Sequence, residues 1–479
     1  MAPPLFGRSP PDYHSLGKNH PKNTTIDTNL NSVLTHLTLH PRIWLSLSTL
    51  FIIIVVLSYP PPIPSLLSMD IDRSSVPSHC PSGTIYVYDL PSVFNQDLVD
   101  SCNESDPWHW RCKAVSNEGF GPISTELKGI VPDDVLPAWY WTNQFSAEIL
   151  FHHRLLNYRC RTMEPESATA FYMPFYAGLS VGRYLWENRT MRDHDSETML
   201  KWVQDRPYWK RSNGSDHFLV IGRITWDFRR MDSPDADWGS SFFNMPAMRN
   251  VTRLIVERAP NEEYEIGLPY PTGFHPRSES DITIWQQFVR TRRREKLFSF
   301  VGASRADQKA DFRTILMSQC RNESDSCRLI DCNKAECAYG KTKNLETFME
   351  SEFCLQPKGD SDTRRSVFDC MLSGSIPVFF WDRTAYRQYQ WFLPSNRSSY
   401  SVYIEEDDVR NGLSVKRVLE KYSKIEVEKM REKVIEYIPN FLYAKPRLGL
   451  NRTSDAFDIA VNGILNRIRE KREQSESNV

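Results

Sequence analysis

The chain has 479 residues, a formal net charge of −1, 40% hydrophobic residues and 12% aromatic residues. A chain of this size and composition can bury two cores of ordinary domain size. The near-neutral charge argues against a nucleic-acid partner, because nucleic-acid binders concentrate lysine and arginine on one surface.

The N-terminal region contains a candidate membrane anchor. Residues 43–58 (IWLSLSTLFIIIVVLS) are apolar or hydroxylic, and no charged residue occurs between Arg42 and Asp70, enough to cross a hydrocarbon core of roughly 30 Å. Basic residues exceed acidic ones before this segment but not after it, which predicts a cytosolic tail at 1–42 and a luminal body. A cleaved signal peptide is the alternative. The long leader and the absence of an A-x-A-like site favour an uncleaved anchor.

Cysteines and glycosylation sequons beyond the anchor are typical of a luminal body. All ten cysteines follow the anchor, and their even number predicts disulfides. The four cysteines between 320 and 337 lack the C-x2-C spacing of a zinc site, which favours a disulfide-bonded loop. Seven N-x-[ST] sequons also follow the anchor, at Asn103, Asn188, Asn213, Asn250, Asn322, Asn396 and Asn451. These asparagines are expected to carry glycans on surface loops.

The rest of the chain alternates apolar runs, polar loops and helix-like segments. The proline-rich region at 59–82 predicts a stiff stem. Apolar runs such as GTIYVYDLP and DHFLVIG precede a charged boundary segment at 280–296, and a second series starts at KLFSFVGASR. This alternation predicts two α/β domains with mostly parallel sheets, which would face each other across a cleft. The expected domains are an N-terminal one at 83–290, a C-terminal one at 291–440 and a helical segment at 441–479.

Residues 353–380 (FCLQPKGDSDTRRSVFDCMLSGSIPVFF) form the most informative segment. The pattern predicts a strand at 353–356, then a loop, then a helix with Thr363 as its N-cap. The helix would stop at Gly374 and lead into a second strand at 376–380. This is a βαβ unit, whose strands are expected to be parallel and whose loop should open at the carboxyl edge of the sheet.

Two arginines lie where this helix should begin. In the first turn the helix dipole disfavours a cation such as Arg364 or Arg365 by roughly several tenths of a kcal/mol, but an anion bound there would reverse the effect. Asp369 would share a helix face with Arg365 and could accept hydrogen bonds from a ribose. A plain Arg365–Asp369 surface ion pair, which contributes at most ~0.5 kcal/mol, is the alternative. We predict a nucleotide-sugar site that includes Gly359, Arg364, Arg365 and Asp369.

A second loop has similar chemistry. Gly302 and Arg305 directly follow the predicted strand at 297–301. A glycine lets backbone N–H groups approach a ligand, and an arginine supplies charge for a phosphate. A solvated Arg305 on an ordinary turn fits the sequence equally well. We include both residues in the predicted nucleotide-sugar site.

Asp227 is the first candidate for a catalytic base. It follows the strand at 218–221, and its neighbour Trp226 is a candidate platform for a sugar ring. A structural network between Asp227 and nearby arginines fits the same sequence. Asp89, at the end of the first strand, is an alternative base. So is Glu257, a charge in an apolar run that needs a partner or a function.

No metal site is expected. Many sugar transferases bind manganese through a D-x-D pair that follows an apolar strand. Four such pairs occur here, at 70–72, 193–195, 235–237 and 360–362, and none follows an apolar strand. Arginines and a helix N-terminus can neutralise a leaving diphosphate instead. We therefore predict an enzyme with no required metal and no other cofactor.

Five segments together resemble a known family: IYVYDLP, DHFLVIGRITWDFRR, GLPYPTGFHP, LFSFVGASR and the segment 353–380. They are similar to the plant exostosin-like glycosyltransferases of glycosyltransferase family forty-seven, in particular its xyloglucan galactosyltransferase branch. The resemblance covers roughly residues 83–469. It implies a GT-B fold of two Rossmann-like domains, a UDP-sugar donor, inversion, no required metal and a single-pass type II location in the Golgi membrane. In one departure, Ser375 stands where the family pattern G-C-I-P-V has cysteine.

The resemblance implies transfer of galactose from UDP-galactose to xylosyl side chains of xyloglucan. The second domain would hold the nucleotide, with Arg305 and Arg365 on the diphosphate. Asp227 would deprotonate the acceptor hydroxyl, and Trp226 and Trp141 would contact the glucan. Transfer of galacturonic acid or arabinose is an alternative, as are a glycoside hydrolase and a non-catalytic scaffold that forms complexes with other Golgi glycosyltransferases. A hydrolase would have no use for a diphosphate site.

Overall fold

The computed structural model describes residues 80–105, 112–231, 237–304, 311–334, 337, 342–359 and 361–477. The predicted tail, anchor and nearly all of the stem lie outside the described residues. Within the described ranges, no helix has the length and apolar character that a membrane span requires.

A six-stranded sheet forms the centre of the first lobe, by which we mean residues 80–276. Its strand order is β2-β1-β3-β4-β5-β6, and every neighbouring pair is parallel. The strands are β1 (Ile85–Val87), β2 (Arg161–Thr162), β3 (Ala170–Tyr172), β4 (His217–Ile224), β5 (Thr252–Glu257) and β6 (Glu265–Gly267). Strands β3 to β5 are buried almost throughout, as expected of a parallel sheet covered on both faces.

Helices connect these strands and cover the sheet. They are α1 (Gln96–Asp100), α2 (Cys102–Ser105), α3 (Cys112–Val115), α4 (Ala147–Leu156), α5 (Ala177–Arg183), α6 (Arg189–Gln204) and α7 (Pro207–Ser212). The side chain of Asn188 accepts a hydrogen bond from Met191 N and so caps the N-terminus of α6. Helix α7 begins with Pro207, which suits the first helical position because no N–H is needed there.

A second, five-stranded parallel sheet lies in the second lobe, residues 279–441, in the order β11-β10-β9-β7-β8. Its strands are β7 (Lys296–Gly302), β8 (Cys327–Asp331), β9 (Ser351–Gln356), β10 (Ile376–Phe379) and β11 (Val402–Tyr403). Its helices are α8 (Glu279–Thr291), α9 (Phe312–Asn322), α10 (Lys343–Met349), α11 (Ser366–Leu372), α12 (Glu406–Arg410), α13 (Val415–Leu419) and α14 (Lys424–Glu436). The expected mixed α/β architecture with parallel sheets is therefore confirmed.

The two lobes share one apolar core. A single buried cluster includes Leu254 of β5, Phe379 of β10 and Ile464 of the last helix, α15 (Ala456–Ser477). Helix α15 also contacts the first lobe directly, since Arg472 Nη2 donates to the carbonyl oxygen of Thr169 at 2.8 Å. Burial of this apolar surface stabilises the arrangement of the two sheets.

The βαβ unit predicted around residues 353–380 is confirmed, with one correction. Strands β9 and β10 are parallel neighbours, and α11 lies between them in the chain. Gly374 follows the helix with a φ of +68°, a backbone conformation that glycine adopts without steric cost. The prediction of Thr363 as N-cap was wrong, because the helix begins at Ser366 and Arg365 occupies the capping position.

All ten cysteines form disulfides, as predicted. The pairs are Cys80–Cys160, Cys102–Cys112, Cys320–Cys327, Cys332–Cys337 and Cys354–Cys370. The four cysteines between 320 and 337 therefore form two short disulfide loops. The last pair joins β9 to α11 and encloses the segment that contains Arg364 and Arg365.

Candidate functional site at the junction of the two sheets

The carboxyl edges of the two sheets meet at Glu257, the last residue of β5. Its carboxylate accepts hydrogen bonds from Ser361 Oγ at 2.8 Å and from Thr363 N at 3.1 Å. Both donors belong to residues 357–365, which follow β9 and which we call the arginine loop. Ligands of parallel α/β sheets bind beyond the carboxyl ends of the strands, so this junction is the expected position of a site.

Burial controls the charge of Glu257. Only 3% of the residue is exposed, and burial raises the pKa of its carboxyl to about 8. The hydrogen bonds from Ser361 and Thr363 lower that pKa but do not offset the loss of solvation. Glu257 has the partner that the sequence required, and that partner is the loop of the opposite lobe.

The arginine loop packs against the end of β7. Arg364 Nη2 donates to the carbonyl oxygen of Val301 at 3.0 Å. A Cβ on Gly302 would lie 3.4 Å from the same nitrogen, and a Cβ on Gly359 would lie 2.4 Å from the carbonyl oxygen of Thr363. Glycine at 359 is therefore needed for the loop to fold back on itself. The structure brings Gly302, Gly359 and Arg364 together, whereas Arg305 lies outside the described residues.

Arg365 reaches both lobes. Its Nη1 donates to the carbonyl oxygen of Thr142 at 2.7 Å, and its Nε lies 3.3 Å from Asp369 Oδ2. The side chains of Arg365 and Asp369 retain 24% and 29% exposure. Burial raises the pKa of the Asp369 carboxyl, and the Arg365 guanidinium partly opposes that rise. The alternative ion pair is present, but it is open to solvent, and Arg365 also binds across the junction.

Asp227 lies in a closed network of the first lobe. Its Oδ2 accepts from Arg223 Nε at 2.7 Å and its Oδ1 from Trp238 Nε1 at 2.8 Å, and only 4% of the residue is exposed. The Asp227–arginine network foreseen as the alternative is therefore formed. Each carboxylate oxygen keeps a second lone-pair position, so the role of Asp227 as a base stays a prediction.

The other predicted site residues lie at different depths. Trp226 and Trp141 are half-buried, and Trp141 Nε1 donates to Ser124 Oγ at 2.9 Å. Asp89 is exposed beyond the end of β1. Among the sequon asparagines, Asn250 is half-buried and its side chain donates to the Asn213 carbonyl, while the other six are exposed.

Sequence reasoning missed Glu148, a fully buried carboxylate on α4. It accepts hydrogen bonds from the backbone nitrogens of Gly178 at 3.0 Å, Leu179 at 3.1 Å and Gly222 at 3.1 Å. Burial raises the pKa of Glu148 to about 7, and these three N–H groups oppose the rise. Glu148 therefore ties α5 to β4 beside Arg223. The available signal was an acidic residue within the otherwise apolar helix segment AEILF.

His275, in the GLPYPTGFHP segment, was also missed. It is fully buried, with Nδ1 2.7 Å from the carbonyl oxygen of Tyr443 and Nε2 2.7 Å from Thr142 Oγ1. Burial lowers the pKa of His275 to about 3, and the nearby Arg365 guanidinium acts in the same direction. A neutral His275 therefore helps to hold Thr142, whose carbonyl oxygen receives the Arg365 hydrogen bond.

Comparison with known protein families decides the identity of the fold family. The family model of the exostosin GT47 domain matches residues 79–421, a range that includes Glu257, Asp227 and the arginine loop. The chain belongs to the exostosin GT47 family. The sequence resemblance to family forty-seven is thereby confirmed.

Two of three relatives with high identity are named xyloglucan galactosyltransferases, the branch that the sequence motifs indicated. The chain is 55% identical over 395 residues to xyloglucan galactosyltransferase XLT2 of Arabidopsis thaliana, which covers 82% of this chain and 76% of that protein. It is 42% identical over 401 residues to xyloglucan galactosyltransferase MUR3 of the same plant, which covers 83% of this chain and 64% of that protein. Xyloglucan-specific galacturonosyltransferase 1, also of Arabidopsis thaliana, is 39% identical over 409 residues, with 84% and 59% covered.

Solved structures show only slight similarity. The GtfA/B complex matches with a TM-score of 0.29 and 12% identity over 58% of this chain and 61% of that chain. The pneumococcal O-GlcNAc transferase GtfA in complex with UDP and GlcNAc matches with a TM-score of 0.27 and 11% identity over 58% and 59%. Matches this slight carry no argument about fold or function.

Proposed function

We propose that this GT47 protein transfers galactose from UDP-galactose to a xylosyl side chain of xyloglucan, with inversion, as part of cell-wall synthesis. The observation that carries the proposal is the 55% identity to XLT2, a xyloglucan galactosyltransferase, over 82% of this chain. The junction supports it, because Glu257 and Arg365 each form hydrogen bonds between a loop of one lobe and the other lobe. A transferase that joins two substrates needs such a meeting point.

In this proposal the second lobe binds the UDP-sugar. Arg364 and Arg365 lie on one loop beside the ends of β7 and β9, and Asp369 lies one helical turn further on. The leaving diphosphate gains negative charge as the glycosidic bond breaks, so cations held in place beforehand lower the barrier. Arg365 is the better placed of the two, because its guanidinium is partly exposed and is bound to exchangeable partners. Arg305, Gly302 and Gly359 complete the proposed donor site, which needs no metal.

The first lobe supplies the base and the acceptor contacts. One displacement inverts the anomeric carbon: the acceptor oxygen attacks that carbon, the bond to the diphosphate breaks, and a carboxylate takes the hydroxyl proton. Asp227 is the proposed base, with Asp89 and Glu257 as alternatives. Glu257 is the weaker of the buried candidates, because a carboxyl with a pKa of about 8 is mostly protonated at neutral pH.

The same proposal includes the GT-B arrangement and the cellular location. Two parallel sheets whose carboxyl edges meet at Glu257 support a GT-B fold with the site between them. Five disulfides and exposed sequon asparagines support a luminal body. We propose an anchor at 43–58, a type II orientation in the Golgi membrane and complexes with other Golgi glycosyltransferases.

A second donor is favoured by one specific observation. The relative named xyloglucan-specific galacturonosyltransferase 1 is 39% identical over 84% of this chain, not far below the 42% identity to MUR3. Galacturonic acid is therefore the alternative donor sugar.

A donor panel tests the proposal. The purified full-length protein is incubated with xyloglucan oligosaccharides and with UDP-galactose, UDP-galacturonic acid or UDP-arabinose, with and without EDTA, and product masses are measured. We expect a hexose to be added from UDP-galactose and activity to survive EDTA. Addition of a uronic acid or a pentose would change the donor assignment. Loss in EDTA that manganese restores would contradict the metal-independent site, and release of free sugar without UDP affinity would indicate a hydrolase.

A further inference from the structure

A pair of tryptophans, one exposed and one half-buried, lies beside Asp227 on the first lobe. Trp186, which follows α5, is 63% exposed. Its ring centroid lies 5.7 Å from that of Trp238, and the two ring planes cross at 83°. Trp238 Nε1 donates the 2.8 Å hydrogen bond to Asp227 Oδ1. We call Trp186 and Trp238 the tryptophan corner; a single hydrogen bond joins it to the proposed base.

Trp186 is far more exposed than the other tryptophans that the structure describes. Within the described ranges every other tryptophan is buried or half-buried. Leaving so large an apolar ring in water forgoes the free energy that its burial would contribute, roughly 25 cal/mol per Å². Tryptophan is enriched at binding interfaces, where its apolar ring and its polar N–H are both used. The ring's flat apolar face and single N–H donor match the C–H faces and hydroxyl groups of a pyranose.

We infer that the tryptophan corner binds the glucan backbone of the acceptor polysaccharide. The inference rests on the proposed function, because a polymeric acceptor extends on either side of the unit that receives the sugar. Perpendicular rings present their faces in two directions, which suits a chain that carries side branches. The hydrogen bond from Trp238 to Asp227 fixes the corner relative to the base, so the bound chain is held in register with the reacting hydroxyl.

The position of the corner connects it to the rest of the site. Asp227 is bound to Arg223, whose guanidinium carbon lies 5.1 Å from the centroid of the Phe145 ring. Phe145 N donates to the side chain of Asn143. The preceding residue, Thr142, accepts the Arg365 hydrogen bond at its carbonyl oxygen. An unbroken line of contacts thus runs from the arginine loop to the exposed tryptophan. A chain bound at the corner would lie along the first-lobe side of the junction.

A second source of carbohydrate lies next to Trp186. The sequon Asn188–Arg189–Thr190 starts two residues later, and Asn188 is exposed. A glycan on Asn188 would also be able to stack on Trp186. Replacing Thr190 with alanine removes the sequon while leaving the Asn188 side chain to accept from Met191 N at the start of α6. The acceptor and the protein's own glycan can therefore be separated by experiment.

The test compares Trp186→Ala with Trp186→Phe, Thr190→Ala and Ile425→Ala in the full-length protein. Ile425 is the matched control, because it is also 63% exposed but lies on α14 in the second lobe. Binding to polymeric xyloglucan is measured without donor, and KM and kcat are measured on the polymer. Trp186→Ala should weaken polymer binding and raise KM about tenfold while kcat at saturating acceptor is retained. Trp186→Phe should recover most of the affinity, and the two controls should bind normally.

Each other outcome has a defined meaning. Unchanged binding in Trp186→Ala, an equal loss in Ile425→Ala, or no binding of xyloglucan by the parent protein would overturn the inference. So would a loss that disappears when Trp186→Ala is combined with Thr190→Ala, because Trp186 would then be packing on the protein's own glycan. A protein that binds xyloglucan through Trp186 but transfers no sugar would contradict the proposed function alone.

Discussion

Two arginine–aspartate pairs with the same spacing lie at the carboxyl edges of the two sheets. In the first lobe Arg223 Nε lies 2.7 Å from Asp227 Oδ2, and the side chains are only 10% and 5% exposed. In the second lobe Arg365 Nε lies 3.3 Å from Asp369 Oδ2, with 24% and 29% exposure. The first pair is closed, since Trp238 occupies the other carboxylate oxygen. The second pair is open, and its arginine also binds a backbone carbonyl of the opposite lobe.

This difference separates a structural pair from a pair that can exchange partners. A buried ion pair has lost its hydration, so removing one member leaves an uncompensated charge. A partly exposed pair is screened by water and contributes little stability, so a diphosphate can replace the carboxylate at modest cost. Because the first pair is buried and the second is partly exposed, we propose a ligand-binding role for Arg365 and not for Arg223.

The largest effect on stability is expected when the buried Arg223–Asp227 pair is broken. Arg223→Met keeps the apolar part of the side chain but leaves Asp227 buried without its cation, so we expect a loss of about 3–5 kcal/mol in the free energy of unfolding. Urea unfolding of the purified protein measures it. Lys433→Ala is the control, since it breaks an exposed pair with Glu436 and a surface cation–π contact with Tyr437. A loss under about 1 kcal/mol would mean that the first pair is no more closed than the second.

Breaking the open pair should affect catalysis instead. Arg365→Ala removes a cation from the proposed diphosphate position, which should cost roughly 3–4 kcal/mol of transition-state stabilisation, or at least a hundredfold in kcat. Stability should fall only by about 1 kcal/mol, the contribution of an ordinary hydrogen bond. Arg365→Lys should recover part of the rate, because lysine keeps the charge without the bidentate geometry. Near-normal turnover in Arg365→Ala would instead favour the plain ion pair with Asp369.

The Asp227→Asn variant tests whether the Arg223–Asp227 pair has a catalytic role in addition to its structural one. In Asp227→Asn the amide oxygen can still accept from Trp238, but the side chain can no longer take a proton. If Asp227 is the base, kcat should fall at least about a hundredfold while KM for the donor stays unchanged. Initial rates over a range of UDP-galactose concentrations measure both constants. A kcat that is unchanged in Asp227→Asn would contradict Asp227 as the base and would favour Asp89 or Glu257 in that role.

For the contact that joins the lobes, the change in stability expected over one pH unit is the smallest of the four main effects. The pKa of Glu257 is raised from 4.5 to about 8, so between these values the folded protein holds a proton that the unfolded chain has lost. This carboxyl therefore makes stability fall as pH rises, by about 1.4 kcal/mol per pH unit within that window. Glu257→Gln should flatten the decline.

Urea unfolding at several pH values within the window measures this slope in both proteins. Glu148, whose pKa is also raised, contributes equally to both and cancels in the difference. The same slope in parent and variant would show that Glu257 is already ionised in the folded protein, and hence that the junction is better solvated than its burial indicates.

Elements with local determinants were predicted well. The βαβ unit around the arginine loop was foreseen because an apolar run, a turn-rich loop, an amphipathic segment and Gly374 follow one another within a few residues. The helix start was predicted too early, because Thr363 N binds the Glu257 carboxylate, more than one hundred positions away, and the helix begins only at Ser366. Glu148 and His275 were missed for the same reason, since their partners lie far away in the chain.

The sequence by itself determined the family, the α/β class, the formation of disulfides and the positions of both Arg-x3-Asp pairs, because these depend on residue identity and short-range spacing. Tertiary structure decided which pair is closed. Trp238 donates to Asp227 and helps to bury it, whereas Arg365 donates to the Thr142 carbonyl oxygen and keeps 24% of its side chain exposed. Solvent exposure depends on which distant segments pack against a side chain, and it sets the energy of a charge through its hydration. Identical spacing therefore gave one buried pair and one partly exposed pair.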